Sequence, residues 1–265
     1  MDAGPLRDVL TLLLGVATGV LSGAFGVGGA VISTPGIRLL GASALVAIGT
    51  TLPSILPSAA SGTARYVRED LVVWRAVALT APIGMAASVA GSLLSRVVPG
   101  EGHLLQIATA CLLGFTAWRM GRGARLQPGA PVTPPAVDAP DDTSAAAYAG
   151  VGLAAGLLSG LLGIGGGVVM VPGFNQVARM PLKPAIATSL VCVGIFAVPG
   201  TITHAAIGNI DWRFALLLAV GVVPGARMGA AAAIRATDRR LRLAVSGFLG
   251  VIAVIYAGGE LLALL

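Results

Sequence analysis

Residues 15–36 carry the stretch GVATGVLSGAFGVGGAVISTPG, and residues 152–173 carry a near copy of it, GLAAGLLSGLLGIGGGVVMVPG. The two stretches are offset by 137 positions and share 12 of their 22 residues. At an offset of 138 the match continues more weakly, so that Trp74-Arg75 meets Trp212-Arg213. Apolar composition alone gives scattered matches but not an ordered series. We therefore infer that the chain is a duplication of two halves.

Composition decides the class of protein. Of the 265 residues, 56% are apolar and 11% are charged, and the mean hydropathy is +0.91. A soluble domain carries about 25% charged residues, and disordered chains are poor in apolar residues. The chain is therefore predicted to be an all-α polytopic membrane protein. At about 20 residues per crossing it has room for about eight to ten spans and for almost no soluble catalytic module.

Each half contains five apolar segments, and the second segment of each half is short. Residues 1–120 form the first transmembrane repeat, 121–144 a polar linker, and 145–265 the second repeat. A short segment of about 13 residues spans only about 20 Å of a 30 Å hydrocarbon layer. We expect either two tilted crossings or a hairpin that re-enters. The predicted segments are Val9–Phe25, Gly28–Leu40, Ala42–Ala64, Val72–Val98 and Leu104–Met120, then Ala145–Leu162, Ile164–Val177, Pro184–Ala206, Trp212–Ala233 and Leu243–Leu265.

The distribution of Arg and Lys predicts the orientation. With both termini outside, twelve cations fall inside and four outside, in keeping with the positive-inside rule. The odd number of crossings per half turns the second repeat upside down, as in many secondary transporters. The net charge of +6 is thus a topology signal, and no nucleic-acid partner is expected. The inside set is Arg65, Arg68, Arg75, Arg119, Arg122, Arg125, Arg179, Lys183, Arg235, Arg239, Arg240 and Arg242; the outside set is Arg7, Arg38, Arg96 and Arg213.

The repeated glycines predict an anion site. Those upstream in each motif lie at helical spacing and allow close contact between helices. The dense run that follows breaks the helix and frees backbone N–H groups, and the next segment begins at the break. Free N–H groups and a positive helix end attract anions without a charged side chain. The predicted substrate-binding glycines are Gly26, Gly28 and Gly29 in the first half, and Gly163, Gly165, Gly166 and Gly167 in the second.

Further candidates lie in the later segments. Hydroxyls donate to an oxyanion without the desolvation cost of a buried charge, and an arginine within the membrane is a functional hypothesis by default. A lone membrane histidine can couple transport to protons because it titrates near neutral pH. Helix back-bonding, snorkelling and interfacial hydrogen bonding are the respective structural alternatives. The candidates are Thr50, Thr51, Thr188, Ser189 and Arg227 for the substrate and His204 for the proton.

At these motifs the sequence resembles the sulfite exporter TauE/SafE family, also called the toluene sulfonate uptake permease family. The resemblance covers the duplicated glycine runs, the Pro35 and Pro172 that follow them, the segment GNIDW at 208–212 and the segment PGARMG at 224–229. The first half departs from the pattern at Ala30 and at residues 69–74. The resemblance implies transport of small sulfur-containing anions or organosulfonates across the bacterial inner membrane.

The sequence thus favours a secondary transporter of a small oxyanion that works by alternating access around a midplane site. A passive anion channel sharing that site is the alternative. An intramembrane hydrolase with Ser22 or Ser159 as nucleophile would need a nearby base, and an enzyme is not expected. The expected partners are the small anionic substrate and membrane lipid, and a homodimer is left open. No cofactor and no metal site are predicted, because the His, Cys and carboxylate residues lack ligand spacing.

Overall fold

The structure, a computed structural model, describes residues 4–95, 103–126, 144–162 and 166–264. These residues fold into helices throughout, which confirms the predicted all-α class. The described helices, five in each half, are α1 (Pro5–Phe25), α2 (Ala30–Leu39), α3 (Ala44–Val67), α4 (Trp74–Ser95), α5 (His103–Leu126), α6 (Ala145–Leu162), α7 (Gly167–Gln176), α8 (Leu182–Ala206), α9 (Trp212–Arg235) and α10 (Asp238–Leu264).

Several of these helices suit a hydrocarbon environment. Within the described ranges, α1, α8 and α9 are both long enough and apolar enough to cross a membrane. Helices α3, α5 and α10 have 24, 24 and 27 residues, and about 20 residues span a bilayer. The protein is therefore a polytopic membrane protein. The helix α5 extends to Leu126, into the predicted linker, whose remaining residues 127–143 lie outside the described part.

The short helices α2 and α7 each turn back along the helix before them. Both have 10 residues, about 15 Å of helix. A Cβ added at Gly29, the residue before α2, would lie 2.7 Å from Thr18 Cγ2, and one added at Gly36 would lie 2.6 Å from the Leu14 side chain. The helix α2 therefore starts beside the second half of α1 and returns toward the end from which α1 came. This favours the predicted hairpin over two tilted crossings.

Helices from opposite halves pack through bare glycine backbone. A Cβ at Gly19 of α1 would lie 2.5 Å from the Val222 carbonyl oxygen of α9, and one at Gly221 of α9 would lie 2.5 Å from the Leu12 carbonyl oxygen. The helix α4 packs against α6 in the same way, with Gly152 on the Thr80 carbonyl at 2.6 Å. These contacts confirm that the upstream glycines serve helix packing, which small residues permit. Both helix pairs run parallel.

Two other helix pairs run antiparallel. In α3 and α8, Gly62 packs on Leu190, whereas Gly200 packs on Leu52. In α5 and α10, a Cβ at Gly114 would lie 3.9 Å from Ala253, whereas one at Gly121 would lie 2.7 Å from the Ser246 hydroxyl. The helices α3 and α8 hold the same position in the two halves, and so do α5 and α10. Each of these helices therefore packs antiparallel against its own counterpart in the other half.

The predicted inside cations gather at one end of the bundle. The Lys183 Nζ at the start of α8 donates to the Ile234 carbonyl at the end of α9 (2.7 Å), and Arg242 at the start of α10 donates to Asn175 at the end of α7 (2.9 Å). At the opposite end, the Arg7 guanidinium lies over the Phe214 ring, 4.1 Å from its centroid. Charge is thus segregated along the bundle axis, as the sequence predicts.

The glycine contact between α1 and α9 can be tested by substitution. We expect Gly225→Leu to lower the stability of the purified protein by several kcal/mol, about the upper range for overpacking a core, because a Cβ there would overlap the Val16 carbonyl of α1. Thermal melting in detergent measures the loss. The control is Gly150→Ala on α6, where an added Cβ meets nothing within 4 Å. Equal melting temperatures for the two variants would contradict the packing.

Candidate functional site

The first glycine turn connects α1 to α2 and is buried throughout. Gly26, Gly28 and Gly29 have φ values of 67°, 86° and 77°, in the left-handed region that favours glycine. The Gly26 amide donates to the Ser22 carbonyl (2.8 Å) and closes α1. Within the described part of the chain, the amides of Gly28 and Gly29 have no acceptor. The free donors predicted for this turn therefore belong to Gly28 and Gly29, and not to Gly26.

The second glycine turn has the same local form where it is described. Gly166 has a φ of 62° and precedes α7, whose first residue is Gly167. A Cβ at Gly166 would lie 3.4 Å from the Ser159 Cβ and from the Phe196 ring. The predicted site residues Gly163 and Gly165 lie outside the described residues.

The two turns meet inside the protein. An added Cβ at Gly167 would overlap the Gly26 carbonyl oxygen and would lie 2.7 Å from the Val27 Cα. Gly28 packs on Val193, and Gly166 packs on Phe196, both near the middle of α8. The structure thus brings the two duplicated glycine breaks together alongside α8, between Ile186 and Phe196. An approach of the two breaks from opposite sides is what inverted halves predict.

Thr50 and Thr188 each hold a helix start in the other half. The Thr188 hydroxyl accepts from the Val73 amide (3.1 Å) just before α4, and the Thr50 hydroxyl accepts from the Asp211 amide (2.9 Å) just before α9. Because α4 and α9 start at opposite ends of the bundle, the two threonines do not share one site. Their positions indicate a reciprocal structural bond between the halves.

The other two predicted hydroxyls lie nearer the turns. The Ser189 hydroxyl donates to the Gly26 carbonyl at 2.9 Å, so it stabilises the turn through its acceptor. The Thr51 hydroxyl donates to the Ile48 carbonyl (3.0 Å) and contacts the Thr34 hydroxyl at 3.3 Å. Ser189 thus contacts the first turn, but its hydroxyl proton is donated to the Gly26 carbonyl and not to an anion.

Three buried hydroxyls adjoin the first turn: Ser22, which the sequence offers as a weaker candidate, and Thr18 and Ser58, which the sequence prediction missed. Thr18 and Ser22 lie one turn apart on α1, and Ser58 of α3 donates to Ser22 at 3.1 Å. All three are at most 2% exposed. A comparison of the two repeats does not select Thr18 and Ser58, because their counterparts, Ala155 and Phe196, carry no hydroxyl. The spacing of Thr18 four residues before Ser22 is the signal that could have found the first of them.

Within the described residues, the side chains of Arg227 and His204 make no hydrogen bond with the turns. Arg227 is exposed on α9, next to the buried Ala226 that packs on α1. His204 is eight residues beyond Phe196, about 12 Å along a helix. Its buried Nδ1 has no hydrogen-bond partner among the described residues and faces Gly49 at the start of α3. The position of Arg227 favours snorkelling over anion binding.

Comparison with known proteins identifies the family. A model of the family "Sulfite exporter TauE/SafE" matches residues 11–256. The chain belongs to the TauE/SafE family. A probable membrane transporter protein of Xylella fastidiosa (strain 9a5c) is 29% identical over 247 residues, which cover 92% of this chain and 90% of that protein. The probable membrane transporter protein YunE of Bacillus subtilis (strain 168) is 26% identical and covers 84% of this chain and 87% of its own length. No solved structure matches this TauE/SafE chain significantly.

The family assignment and the fold agree. The chain is a membrane transporter of the TauE/SafE family, as its sequence motifs indicate. The duplicated glycine runs that carry the resemblance are the segments that the fold places in contact. Membership of the family therefore indicates the class of activity, which is transport. The contact between the two glycine turns indicates where a substrate site should be sought.

The reciprocal threonine bonds lead to a stability prediction. Thr188→Val should lower the stability by about 1–3 kcal/mol, because the Val73 amide loses its buried acceptor. Affinity for substrate in the folded protein should not change. Thermal melting and ligand titration measure the two effects, with Thr203→Val as control, since that exposed hydroxyl only bonds back to its own helix. A variant that melts normally but loses ligand affinity would instead place Thr188 in the binding site.

Proposed function

We propose that this TauE/SafE protein is a secondary transporter of small sulfur-containing oxyanions, such as sulfite or organosulfonates. The anion binds between the two glycine turns near the middle of the membrane, and the two halves rock around it in alternating access. The family supports the substrate class. The observation that carries the proposal is the contact between Gly167 and the turn at Gly26–Val27.

Backbone chemistry at the turns supports an anion as substrate. The buried amides of Gly28 and Gly29 have no acceptor in the described part of the chain, and buried backbone donors are rarely left unpaired in proteins. The helix α2 begins at Ala30, directly after Gly29, and places the positive end of its dipole at the same point. An oxyanion would satisfy both features, since its oxygens accept hydrogen bonds and its charge opposes the dipole.

Helix direction supports an inverted arrangement of the two halves. The counterpart helices α3 and α8 run antiparallel, as their contacts from Gly62–Leu190 to Gly200–Leu52 require. A two-fold axis perpendicular to the helices relates such a pair and turns one repeat upside down in the membrane. We place both termini outside the bacterial inner membrane, because the cation-rich end of the bundle then faces inward.

A difference between the halves supports alternating access. The Ser61 hydroxyl of α3 donates to the Val223 carbonyl of α9 at 2.7 Å. At the 138-residue offset, Pro199 corresponds to Ser61 and Met85 to Val223, and both of these line an open cavity of about 640 Å³ between α4 and α8. One interface is closed where its counterpart is open. Exchanging the two states would move access from one side of the turns to the other.

Transport of sulfite by the purified protein in liposomes tests the function. We expect labelled sulfite to accumulate against unlabelled sulfite inside the vesicles, a counterflow that a carrier performs and a channel does not. Gly167→Val should abolish counterflow, because any side chain there meets the Gly26 backbone. Gly150→Ala serves as the folded control. Sulfite-dependent ionic currents without counterflow would favour a channel, and no flux of sulfite or sulfonates would contradict the substrate class.

Cross-linking of the closed interface tests alternating access. In a Cys111→Ser background, which removes the exposed native thiol, a short bifunctional thiol reagent should join Ser61→Cys to Val223→Cys and stop counterflow. Reduction or omission of the reagent should restore it. Undiminished flux in the cross-linked protein would contradict a rocking mechanism.

The variant His204→Gln tests the proton coupling that the sequence predicts for His204. If a pH gradient no longer changes the uptake of sulfite by this variant, the His204 side chain takes part in the coupling.

A further inference from the structure

The buried hydroxyls of the protein are distributed unequally between the halves. Within the described residues, the buried polar side chains are serines and threonines, apart from the hydroxyls of the buried Tyr66 and Tyr148, one in each half. Most of them lie in the first half, and the second half contributes Thr188 and Ser189. A site that used the two halves equally would carry matching donors. The asymmetry therefore indicates which half holds the ligand.

Thr18 and Ser22 have hydroxyl protons that no described group accepts. The Thr18 Oγ1 is fully buried and without a partner. Ser22 accepts from Ser58, and its own proton has no acceptor in the described part of the chain. Both side chains pack against Gly29, at 2.7 Å for Thr18 Cγ2 and 3.5 Å for Ser22 Cβ from an added Cβ. The side chains that carry these two unused hydroxyl donors thus pack, through their carbon atoms, beside Gly29, the residue before α2.

The second half has filled the equivalent space. Ser159 corresponds to Ser22, but Phe196 replaces Ser58 and Ala155 replaces Thr18. The Phe196 ring packs on Gly166, next to Ser159, and is also in contact with Gly84 of α4. An aromatic ring therefore occupies the place where the first half has a hydroxyl. Among the described residues, the second turn has the single hydroxyl of Ser159 beside an aromatic ring, whereas the first turn has the hydroxyls of Thr18 and Ser22.

We propose that the substrate site is one-sided and takes a singly charged oxyanion. Thr18, Ser22 and the amides of Gly28 and Gly29 donate to its oxygens, while Gly167 and Phe196 close the site from the other half. This rests on the proposed function and narrows its substrate class to groups such as a sulfonate or hydrogensulfite.

The charge class follows from the neutrality of the donors. All of the proposed donors are hydroxyls or amides, and within the described residues no Lys or Arg side chain makes a hydrogen bond or an ion pair with either glycine turn. In the Born picture the cost of burial rises with the square of the charge, so a dianion costs about four times as much as a monoanion of equal size. Neutral donors compensate a single charge more readily than two. The site should therefore discriminate against sulfate.

Ligand binding to the purified full-length protein tests the charge class. The probes are methanesulfonate, sulfite and sulfate at pH 6 and pH 8. We expect methanesulfonate to bind equally at both pH values, and sulfite to bind more tightly at pH 6, where more of it is hydrogensulfite. Sulfate should bind at least a hundredfold more weakly than methanesulfonate. Sulfate binding as tight as that of methanesulfonate would overturn the proposal.

Matched variants test the one-sided donor set. Thr18→Val and Ser22→Ala should each raise the Kd of methanesulfonate at least tenfold, whereas Thr18→Ser should keep it within threefold. Ser159→Ala, the counterpart of Ser22→Ala, should leave it within twofold. Without ligand, Thr18→Val should melt no lower than the parent protein, because the hydroxyl that it removes is unpaired. This last readout separates a ligand donor from a structural hydroxyl.

Two results would overturn the donor set and leave the transport function intact. One is unchanged affinity in Thr18→Val and Ser22→Ala, and the other is an equal loss in Ser159→Ala and Ser22→Ala. A parent protein that neither binds nor transports any of the three probes would instead contradict the proposed function itself. The two failures are therefore distinguishable in the same set of measurements.

Discussion

A chain that breaks its helices inside a hydrocarbon layer leaves backbone N–H and C=O groups that lipid cannot satisfy. Such breaks persist only where protein or ligand supplies the missing partners. Here the turn at residues 26–29 is buried, and its carbonyl at Gly26 accepts from Ser189 of the other half. The opposing turn packs on it through Gly167. The two halves are thus needed together, since each shields the break of the other from lipid.

Much of the fold follows from the sequence because its signals are local. Apolar segments of known length, the repeat and the position of each arginine predict ten helices and the charged end of the bundle. The short α2 and α7 follow from dense glycine runs that no helix tolerates. Glycine at every fourth position, as in Gly15, Gly19 and Gly23, predicts a close helix contact. The sequence does not identify α9 as the partner, because contacts between distant segments leave no local pattern.

The site was harder to predict, for physical reasons. The repeat draws attention to residues that match, and Thr50 and Thr188 match because each accepts from the amide just before a helix of the other half. The hydroxyl protons that have no described acceptor, at Thr18 and Ser22, include one that the repeat does not preserve. Arg227 lies in an apolar segment of the sequence. That its side chain is exposed becomes clear only from the structure, in which α1 packs against the other face of α9. The matched residues Thr50 and Thr188 thus stabilise the fold, whereas the unmatched Thr18 belongs to the candidate ligand site.

We propose that the two glycine turns together enclose an anion alongside α8, between Ile186 and Phe196. A crystal structure of the protein with bromomethanesulfonate tests it most directly, because the anomalous signal of bromine locates a singly charged sulfonate without ambiguity. We expect one bromine peak between Gly29, the residue before α2, and Gly167, the first residue of α7. Bromine peaks confined to the cation-rich end of the bundle, around Lys183 and Arg242, would contradict it.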